Sequence, residues 1–529
     1  MDDCPHQEEP DIILGSMLVR DFLEHSADRL PEKVALICDQ QRLTYAQLDR
    51  MADRLAEGMI THGLQRGDRV GIYLNNTVEA VVGIFATLKA GGAFVPINPT
   101  TKRDKLVYIL NNCRASGLLV DSRQASLLDE VVGLLPALKF SVLSGSSSRA
   151  SQRNSSDGHK VLNFNAIQQE IQPQRPRRAN IDLDLACLIY TSGTTGDPKG
   201  VMCDHSNVVF AASSIIEYIS NVQDDIVVGI LPLSFDYGLY QLLMTFKFGG
   251  TLVLERGFAY PAQVLKRMVE EQVTGFPGVP TIFAIILRMD LSNYDLSKLR
   301  YLTNTAAALP PSHIQELRDK FPWARLFSMY GLTETKRTLY LPPDQLDKRP
   351  GSVGIAIPGT EVWLEDETGR RLGPGEVGEL VVRGRHVMRG YWEAPEATAA
   401  RYRPGPLPGE RLCYTGDLFR QDEEGYFYFV SRKDDIIKSR GEKVAPKEVE
   451  NVLYMLAGVV EAAVIGVPDP ILGQALKAFL VVSGNKLGEA QVLAHCRVNL
   501  EDFMVPKYVE FRDGLPKTSS GKIKKTDLR

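Results

Sequence analysis

A segment rich in glycine and hydroxyl residues, YTSGTTGDPKG at residues 190–200, is the part of the sequence best suited to bind phosphate. Glycine lets backbone N–H groups approach an anion closely, hydroxyl groups can donate hydrogen bonds, and Lys199 adds a positive charge. The segment is not a Walker A loop, because Gly196 is followed by Asp197 rather than by Lys and Ser or Thr. We therefore predict a nucleotide phosphate site formed by Thr191, Ser192, Gly193, Thr194, Thr195, Gly196 and Lys199.

This segment resembles the signature of the ANL superfamily of adenylate-forming enzymes. The family comprises acyl- and aryl-CoA synthetases, adenylation domains of nonribosomal peptide synthetases, and firefly luciferase. The resemblance runs from LTYAQL at residues 43–48 to PKTSSGKIKK at 516–525, with further motifs in the family's order. It implies that the protein uses ATP and Mg²⁺ to activate a carboxylic acid as an acyl-adenylate, releases pyrophosphate, and passes the acyl group to a thiol.

The segment Met329-Tyr330-Gly331-Leu332-Thr333-Glu334 is similar to the YGxTE motif of that family. The resemblance implies an aromatic ring against adenine, a threonine at the α-phosphate, and a glutamate that helps to hold Mg²⁺. Neutralisation of charge is needed there because a carboxylate must attack an anionic phosphorus. Other residues carried over to the ATP site, along the adenine or at the ribose and phosphates, are Asn304, Ala306, Ala307, Asp417 and Arg432.

Motifs near the C-terminus resemble the moving part of the family. Lys522 matches the catalytic lysine, whose ammonium would stabilise charge between the substrate carboxylate and the α-phosphate. Asp434 matches the hinge about which the C-terminal domain rotates between adenylation and thioester formation. Lys438 and Gly441 match the segment that lines the thiol tunnel. Without the resemblance, these residues would be read as a solvated linker and a surface lysine.

The elements that position these motifs follow from hydrophobic periodicity. Short apolar runs such as 34–38 and 251–254 alternate with amphipathic helical patterns such as 45–62, which predicts an α/β fold with largely parallel strands. Frequent Pro and Gly from about Gly351 predict a β-rich subdomain, and a compact α+β unit follows a charged segment at 431–443.

The predicted domain organisation places the boundary in that charged segment. Residues 1–433 would form a large N-terminal domain of layered α/β subdomains plus the β-rich subdomain, with the ATP and acid sites. Residues 434–529 would form a small mobile α+β lid that carries Lys522.

Composition narrows the class of protein. The net charge of -4 and the pI of about 6.1 argue against a nucleic-acid partner. The 7 cysteines include no CxxC pair, which indicates reduced thiols in a cytoplasmic protein. No apolar run approaches the roughly 20 residues that span a bilayer, so we expect no membrane partner.

The acid substrate is the least determined feature. Phe235, Asp236 and Tyr237 match the segment that borders the acyl pocket, and a Phe-Asp pair there is common in amino-acid-activating members. A carboxylate beside a bound carboxylate requires an intervening cation, which a substrate ammonium would provide. We therefore favour an amino acid such as L-proline. Because the sequence ends four residues after Lys525, we expect the acceptor to be a separate phosphopantetheinylated carrier protein.

Alternatives from other classes remain open at this point. The first is an AMP-forming acyl-CoA synthetase that acts on a fatty or aryl acid, with CoA as acceptor; Asp236 would then cap a following helix at 239–246. A nucleotide-binding relative without catalysis is disfavoured by the joint presence of Lys199, Glu334, Asp417 and Lys522. A kinase is disfavoured because Walker A, HRD and DFG motifs do not occur in the sequence.

Overall fold

A computed structural model describes residues 17–145, 159–191, 198–439, 442–469, 473–484, 487–518 and 521–528. The α-helices of these residues are α1 Asp21–Arg29, α2 Tyr45–Thr61, α3 Val78–Lys89, α4 Arg103–Asn112, α5 Ala125–Val131, α6 Phe164–Glu170, α7 His205–Ile219, α8 Asp236–Phe248, α9 Pro261–Glu270, α10 Pro280–Arg288, α11 Pro311–Lys320, α12 Pro395–Arg401, α13 Pro446–Tyr454 and α14 Glu489–Asn499.

The first strands are β1 Val34–Cys38, β2 Gln41–Thr44, β3 Arg69–Tyr73, β4 Ala93–Pro96, β5 Ala115–Asp121, β6 Phe140–Ser144, β7 Lys160–Asn163, β8 Leu185–Thr191, β9 Lys199–Asp204, β10 Ile226–Gly229, β11 Thr251–Leu254, β12 Gly275–Gly278 and β13 Tyr301–Asn304. The later strands are β14 Arg325–Tyr330, β15 Leu339–Leu341, β16 Ser352–Ala356, β17 Thr360–Glu365, β18 Val377–Gly384, β19 Tyr402–Pro404, β20 Arg411–Gln421, β21 Phe427–Arg432, β22 Ile437–Ser439, β23 Glu442–Val444, β24 Val459–Asp469, β25 Gly473–Val482 and β26 Tyr508–Phe511. None of the helices in the described ranges is long and apolar enough to cross a membrane.

The chain forms two compact units. The first unit takes Met1–Leu188, Cys203–Val227 and Leu239–Leu254. The second unit takes Ile189–Met202, Val228–Gly238 and Glu255–Arg529. The predicted boundary at 433/434 is a different division, inside the second unit, and it stays a prediction.

Parallel strands dominate the first unit, as predicted. The order β7-β6-β5-β3-β4-β8 is parallel throughout, and β1 pairs in parallel with β11. Helix α2 begins where Thr44 and Gln47 form a capping box, which satisfies N–H groups that have no partner within the helix. The apolar strands are buried on both faces, as is typical of a sheet covered by helices.

A buried cluster of charges lies in the first unit around Lys89, the last residue of α3. The Lys89 ammonium lies 2.6 Å from Asp49, 2.5 Å from Asp53 and 3.4 Å from Glu24. Arg20 pairs with Glu24 at 2.7 Å. Burial raises the pKa of Asp53 even beside this cation, so Asp53 depends on Lys89 for its ion pair, whereas Asp49 also pairs with Arg175 at 2.9 Å.

The second unit combines a parallel sheet with antiparallel strands. Strands β12, β13 and β14 pair in parallel, and β15, β16, β21, β20, β18 and β17 continue the order in antiparallel pairing. This confirms the β-rich subdomain predicted from Gly351, although that region also contains helix α12.

The C-terminal part of the second unit is the small α+β fold that the sequence predicts. Strands β23-β22-β25-β24 form an antiparallel sheet to which β26 adds in parallel. Val449 and Leu453 of α13 and Cys496 of α14 are buried in its core. The α/β fold class, with a large N-terminal and a small C-terminal domain, is confirmed.

Candidate active site

Asp417 and Arg432 face each other on neighbouring strands. They are register partners in the antiparallel pair β20–β21, and the Arg432 Nε lies 3.4 Å from the Asp417 Oδ1. The Tyr330 hydroxyl, at the end of β14, donates to the Asp417 Oδ2 at 2.7 Å. Burial raises the pKa of Asp417, whereas Arg432, Tyr330 and the more distant Arg401 and Lys522 act to lower it. The buried carboxylate is therefore held among donors and cations.

Glu334 is fixed by an aromatic hydroxyl. Tyr391 donates to the Glu334 Oε1 at 2.6 Å, and the Glu334 side chain is almost fully buried. Strand β9 runs beside Tyr391, since Val201 and Tyr391 form a β-bridge. The pairing brings the Lys199 ammonium to 5.8 Å from the centre of the Tyr391 ring. The structure thus brings the end of the phosphate segment next to the residue that holds Glu334.

The donor set around Glu334 suits a hard cation completed by phosphate oxygens. Within the described ranges, no group of three or more His, Cys, Asp or Glu side chains is placed to hold a metal ion. One carboxylate together with phosphate and water oxygens is a normal environment for Mg²⁺. The residues present therefore fit Mg²⁺ that arrives with a nucleotide.

A tight turn follows β14 and contains the backbone of Glu334. A Cβ atom at Gly331 would lie 1.9 Å from the carbonyl oxygen of Lys336, so only glycine fits at this close approach. The Thr335 N–H donates to the Leu332 carbonyl at 3.1 Å, which closes the turn. Thr333 lies inside this turn and is half-buried.

Lys522 lies in a turn between paired backbone segments, Lys517 and Ile523 being bridge partners. Its N–H donates to the Thr518 hydroxyl at 3.1 Å. Burial, followed by the positive charge of Arg432, lowers the pKa of Lys522, while Asp417, Glu334 and Asp236 act to raise it. The predicted catalytic lysine is therefore within electrostatic range of the predicted ribose, metal and acid residues.

The segment after β13 presents an open, small-residue surface. Asn304 is fully buried, and its side-chain N–H₂ donates to the Ala307 carbonyl at 3.0 Å. Its Oδ1 has no hydrogen-bond partner among the described residues. Ala306 has a φ of 77°, and Ala307 is exposed. A buried acceptor beside an exposed backbone fits a planar ligand that carries an amino group. Met329, on the neighbouring strand β14, is buried.

Asp236 is not a free carboxylate. The Lys336 ammonium donates to its Oδ1 at 2.6 Å, and the two side chains are 0% and 8% exposed. The Arg337 Nη1 lies 3.8 Å from its Oδ2. The predicted need for a substrate ammonium beside Asp236 was therefore wrong, because the chain supplies its own cation. The predicted helix 239–246 is longer as well, since α8 begins at Asp236 itself.

Phe235 and Tyr237 flank this carboxylate. Their rings meet edge to face, with centres 6.4 Å apart. The Tyr237 hydroxyl contacts Thr303 twice, at 2.8 Å to the carbonyl and 2.5 Å to the hydroxyl. Burial raises the pKa of Tyr237 to about 12, so the phenol stays neutral.

Several predicted residues belong to segments that the structure does not describe. Ser192, Gly193, Thr194, Thr195, Gly196 and Gly441 lie outside the described residues, as do the side chains of Asp434 and Lys438. Thr191 ends β8 directly before them.

Residues that the sequence reasoning missed also belong to the site. Tyr391, Lys336 and Arg337 are described above. Glu334 and Asp417 both raise the pKa of Arg401, against the opposing effect of its burial. A Lys-Arg pair directly after the MYGLTET motif was the signal available in the sequence for Lys336 and Arg337.

Comparisons with known proteins agree with this geometry. The family model of the AMP-binding enzyme matches residues 23–392, and that of the AMP-binding enzyme C-terminal domain matches 448–522. A long-chain-fatty-acid–CoA ligase of Bacillus subtilis is 33% identical over 98% of this chain and 95% of its own. A feruloyl-CoA synthase of Amycolatopsis is 35% identical over 98% of both chains.

Solved structures share the fold over nearly the whole chain. An anthranilate CoA ligase in complex with anthranoyl-AMP is similar with a TM-score of 0.87 and 28% identity, covering 97% of this chain and 96% of that one. ATP-bound MatB of Rhodopseudomonas palustris has a TM-score of 0.86 and 30% identity, covering 96% and 98%. The chain therefore belongs to the AMP-binding enzyme family of the adenylate-forming superfamily, and it is an AMP-forming acid–thiol ligase that uses ATP.

Proposed function

We propose that this enzyme converts a carboxylic acid and ATP into an acyl-adenylate and then transfers the acyl group to the thiol of CoA. The observation that carries the proposal is the convergence of Lys522 with Glu334, Asp417 and Arg432, whose charges all act on the Lys522 ammonium. Cations and hydrogen-bond acceptors together are what a nucleotide, a carboxylate and a pentacoordinate phosphorus in the transition state require.

In the first half-reaction, a carboxylate oxygen of the acid attacks the α-phosphorus of ATP, and the bond to pyrophosphate breaks. The Lys522 ammonium would contact both the carboxylate and the α-phosphate, which reduces their mutual repulsion. Its lowered pKa indicates a partly desolvated cation, and such a cation interacts more strongly with an anion. Mg²⁺, held by Glu334 and the phosphates, would neutralise further charge when bound.

Nucleotide recognition uses three further groups in this proposal. The Asp417 carboxylate would accept from the ribose hydroxyls, with Arg432 beside it for the phosphates. The Asn304 Oδ1, which has no hydrogen-bond partner in the described part of the chain, would accept from the adenine amino group. Ala307 and the Tyr330 ring would border the two faces of the base, while Lys199 and Thr333 would contact phosphate oxygens.

In the second half-reaction, a thiol attacks the acyl carbon and AMP leaves. We propose CoA as the acceptor, because the relatives reported above are named as CoA ligases or a CoA synthase. The amino-acid and carrier-protein hypothesis has less support, since Lys336 already occupies the place expected for a substrate ammonium. Rotation at Asp434, which would bring Lys438 and Gly441 to the thiol, remains part of this proposal.

A two-stage assay tests the proposal. ATP–pyrophosphate exchange over fatty, aryl and amino acids identifies the acid, and mass spectrometry then compares CoA with a phosphopantetheinylated carrier protein as acceptor. We expect exchange with a non-amino acid and a stoichiometric acyl-CoA product with AMP. Exchange restricted to amino acids, with acyl transfer to the carrier and none to CoA, would overturn it.

A further inference from the structure

The residues around Asp236 carry an excess of positive charge. We call Asp236, Tyr237, Lys336 and Arg337 the acid-site cluster. Its one carboxylate faces two cations, and the short ion pair of 2.6 Å is made with Lys336. Arg337 lies 3.8 Å from the same carboxylate, which is too long for a hydrogen bond. Within the described part of the chain, Lys336 and Arg337 thus share one carboxylate, and the cluster has one positive charge in excess.

Arg337 is buried without satisfying its donors. Only 3% of its surface is exposed. Its Nε and Nη2 have no hydrogen-bond partner within the part of the chain that the structure describes. Buried polar groups are nearly always hydrogen-bonded, and a charged donor left unsatisfied is especially costly. A ligand anion would relieve this cost.

The guanidinium is also held in one orientation. Its central carbon lies 4.5 Å from the centre of the Tyr237 ring, and the Tyr237 hydroxyl is anchored to Thr303. Nε and Nη2 form one edge of the guanidinium, with two parallel N–H groups. That edge matches the two oxygens of a carboxylate in a bidentate pair.

The geometry points to a dicarboxylic acid as substrate, with Arg337 binding the carboxylate that does not react. This inference rests on the proposed function, in which Lys522 contacts the reacting carboxylate, and on the predicted place of Phe235, Asp236 and Tyr237 at the border of the acyl pocket. A purely apolar acid would leave the buried guanidinium unsatisfied. The structure therefore assigns Arg337 as a specificity-determining residue of the acid site.

Matched acids test the inference by ATP–pyrophosphate exchange. Dicarboxylic acids of three to six carbons and the benzenedicarboxylic acids are each compared with their own monoamide, which has the same shape but a neutral distal group. We expect the preferred diacid to exceed its monoamide in kcat/KM by about 100-fold or more, because an ionic bidentate contact is lost. Arg337→Gln should lose most of that preference and retain the monoamide.

Two variants separate recognition from folding. Arg337→Lys keeps the positive charge but lacks the two parallel N–H groups of the guanidinium. It should therefore keep only part of the preference for the diacid over its monoamide. Arg318→Gln, on the surface of α11, is the matched control and should behave as wild type. The melting temperature of ligand-free Arg337→Gln should not fall below that of this control, because Nε and Nη2 make no hydrogen bond within the described part of the chain and the substitution removes an unsatisfied buried charge.

Failure of this inference can be told apart from failure of the proposed function. Exchange with monocarboxylic acids alone, unchanged in Arg337→Gln, would overturn the inference and leave the proposed adenylation intact. Equal loss of diacid and monoamide in Arg337→Gln would also overturn it, because the arginine would then contact the reacting end. Absence of exchange with every acid would instead reject the proposed function.

Discussion

Replacing Asp236 with Asn tests whether this carboxylate serves the fold or a substrate ammonium. Lys336 is 0% exposed and Asp236 is 8% exposed, so the pair is isolated from water. Removing one partner of such a buried pair costs about 3–5 kcal/mol, because the remaining charge is left uncompensated. Arg337 lies nearby, and Asp236→Asn leaves two neighbouring cations. We therefore expect a loss of about 3 kcal/mol or more in unfolding free energy.

Tryptophan fluorescence suits this measurement. The 3 tryptophans, Trp323, Trp363 and Trp392, all lie in the second unit with Asp236. Urea titration followed by their emission therefore reports the unfolding of that unit. The double variant Asp236→Asn/Lys336→Met should recover most of the loss, since it removes both charges of the pair.

An exposed carboxylate provides the control for Asp236→Asn. Asp347→Asn removes a carboxylate that is 62% exposed, and its effect should be within about 0.5 kcal/mol. Unchanged stability of Asp236→Asn, with activity lost only toward amino acids, would refute the structural pair and restore the substrate-ammonium role.

Three other variants test the roles of Tyr391, Lys89 and Lys522. Tyr391→Phe removes the hydrogen bond to Glu334 and should lower kcat/KM for MgATP by about 10-fold or more in ATP–pyrophosphate exchange. An unchanged value would contradict a role of Tyr391 in holding Glu334. Lys89→Met removes the ion-pair partner of the buried Asp53 and should cost about 3–5 kcal/mol, read by hydrogen exchange in α3, with exposed Lys266→Met as the control. Because Lys522 must be protonated to act, kcat/KM should fall as pH rises through a pKa below the ordinary lysine value of about 10.4. Lys522→Arg should move that decline to higher pH. If the decline does not move, another group is responsible for it.

The strands were predictable where a short apolar run is bounded by polar residues. The predicted apolar runs 34–38 and 251–254 have the bounds observed for β1 and β11. Such strands are buried on both faces, so their composition alone marks them. Helix ends were less accurate: the predicted helix 239–246 extends from Asp236 to Phe248 as α8, and the pattern 45–62 ends one residue earlier, at Thr61 of α2.

The site was predictable to the extent that family motifs carry it. Glu334, Asp417 and Lys522 were identified by motif, and the structure brings them within electrostatic range of one another. The Asp236–Lys336 pair was not predictable, because 100 positions separate the partners and no local pattern links them. The cation beside Asp236 is determined by tertiary packing. Its presence removed the reason to expect an amino acid as the substrate.

In the proposed function, Lys522 and its neighbours perform adenylation. The most direct test is ATP–pyrophosphate exchange by Lys522→Ala with the preferred acid, beside Lys524→Ala as the matched neighbour. We predict that Lys522→Ala loses at least about 100-fold in exchange rate, as is common when one charge-stabilising donor is removed, while Lys524→Ala retains the wild-type rate and both variants keep the wild-type melting temperature. Full exchange activity in a folded Lys522→Ala variant would contradict the account.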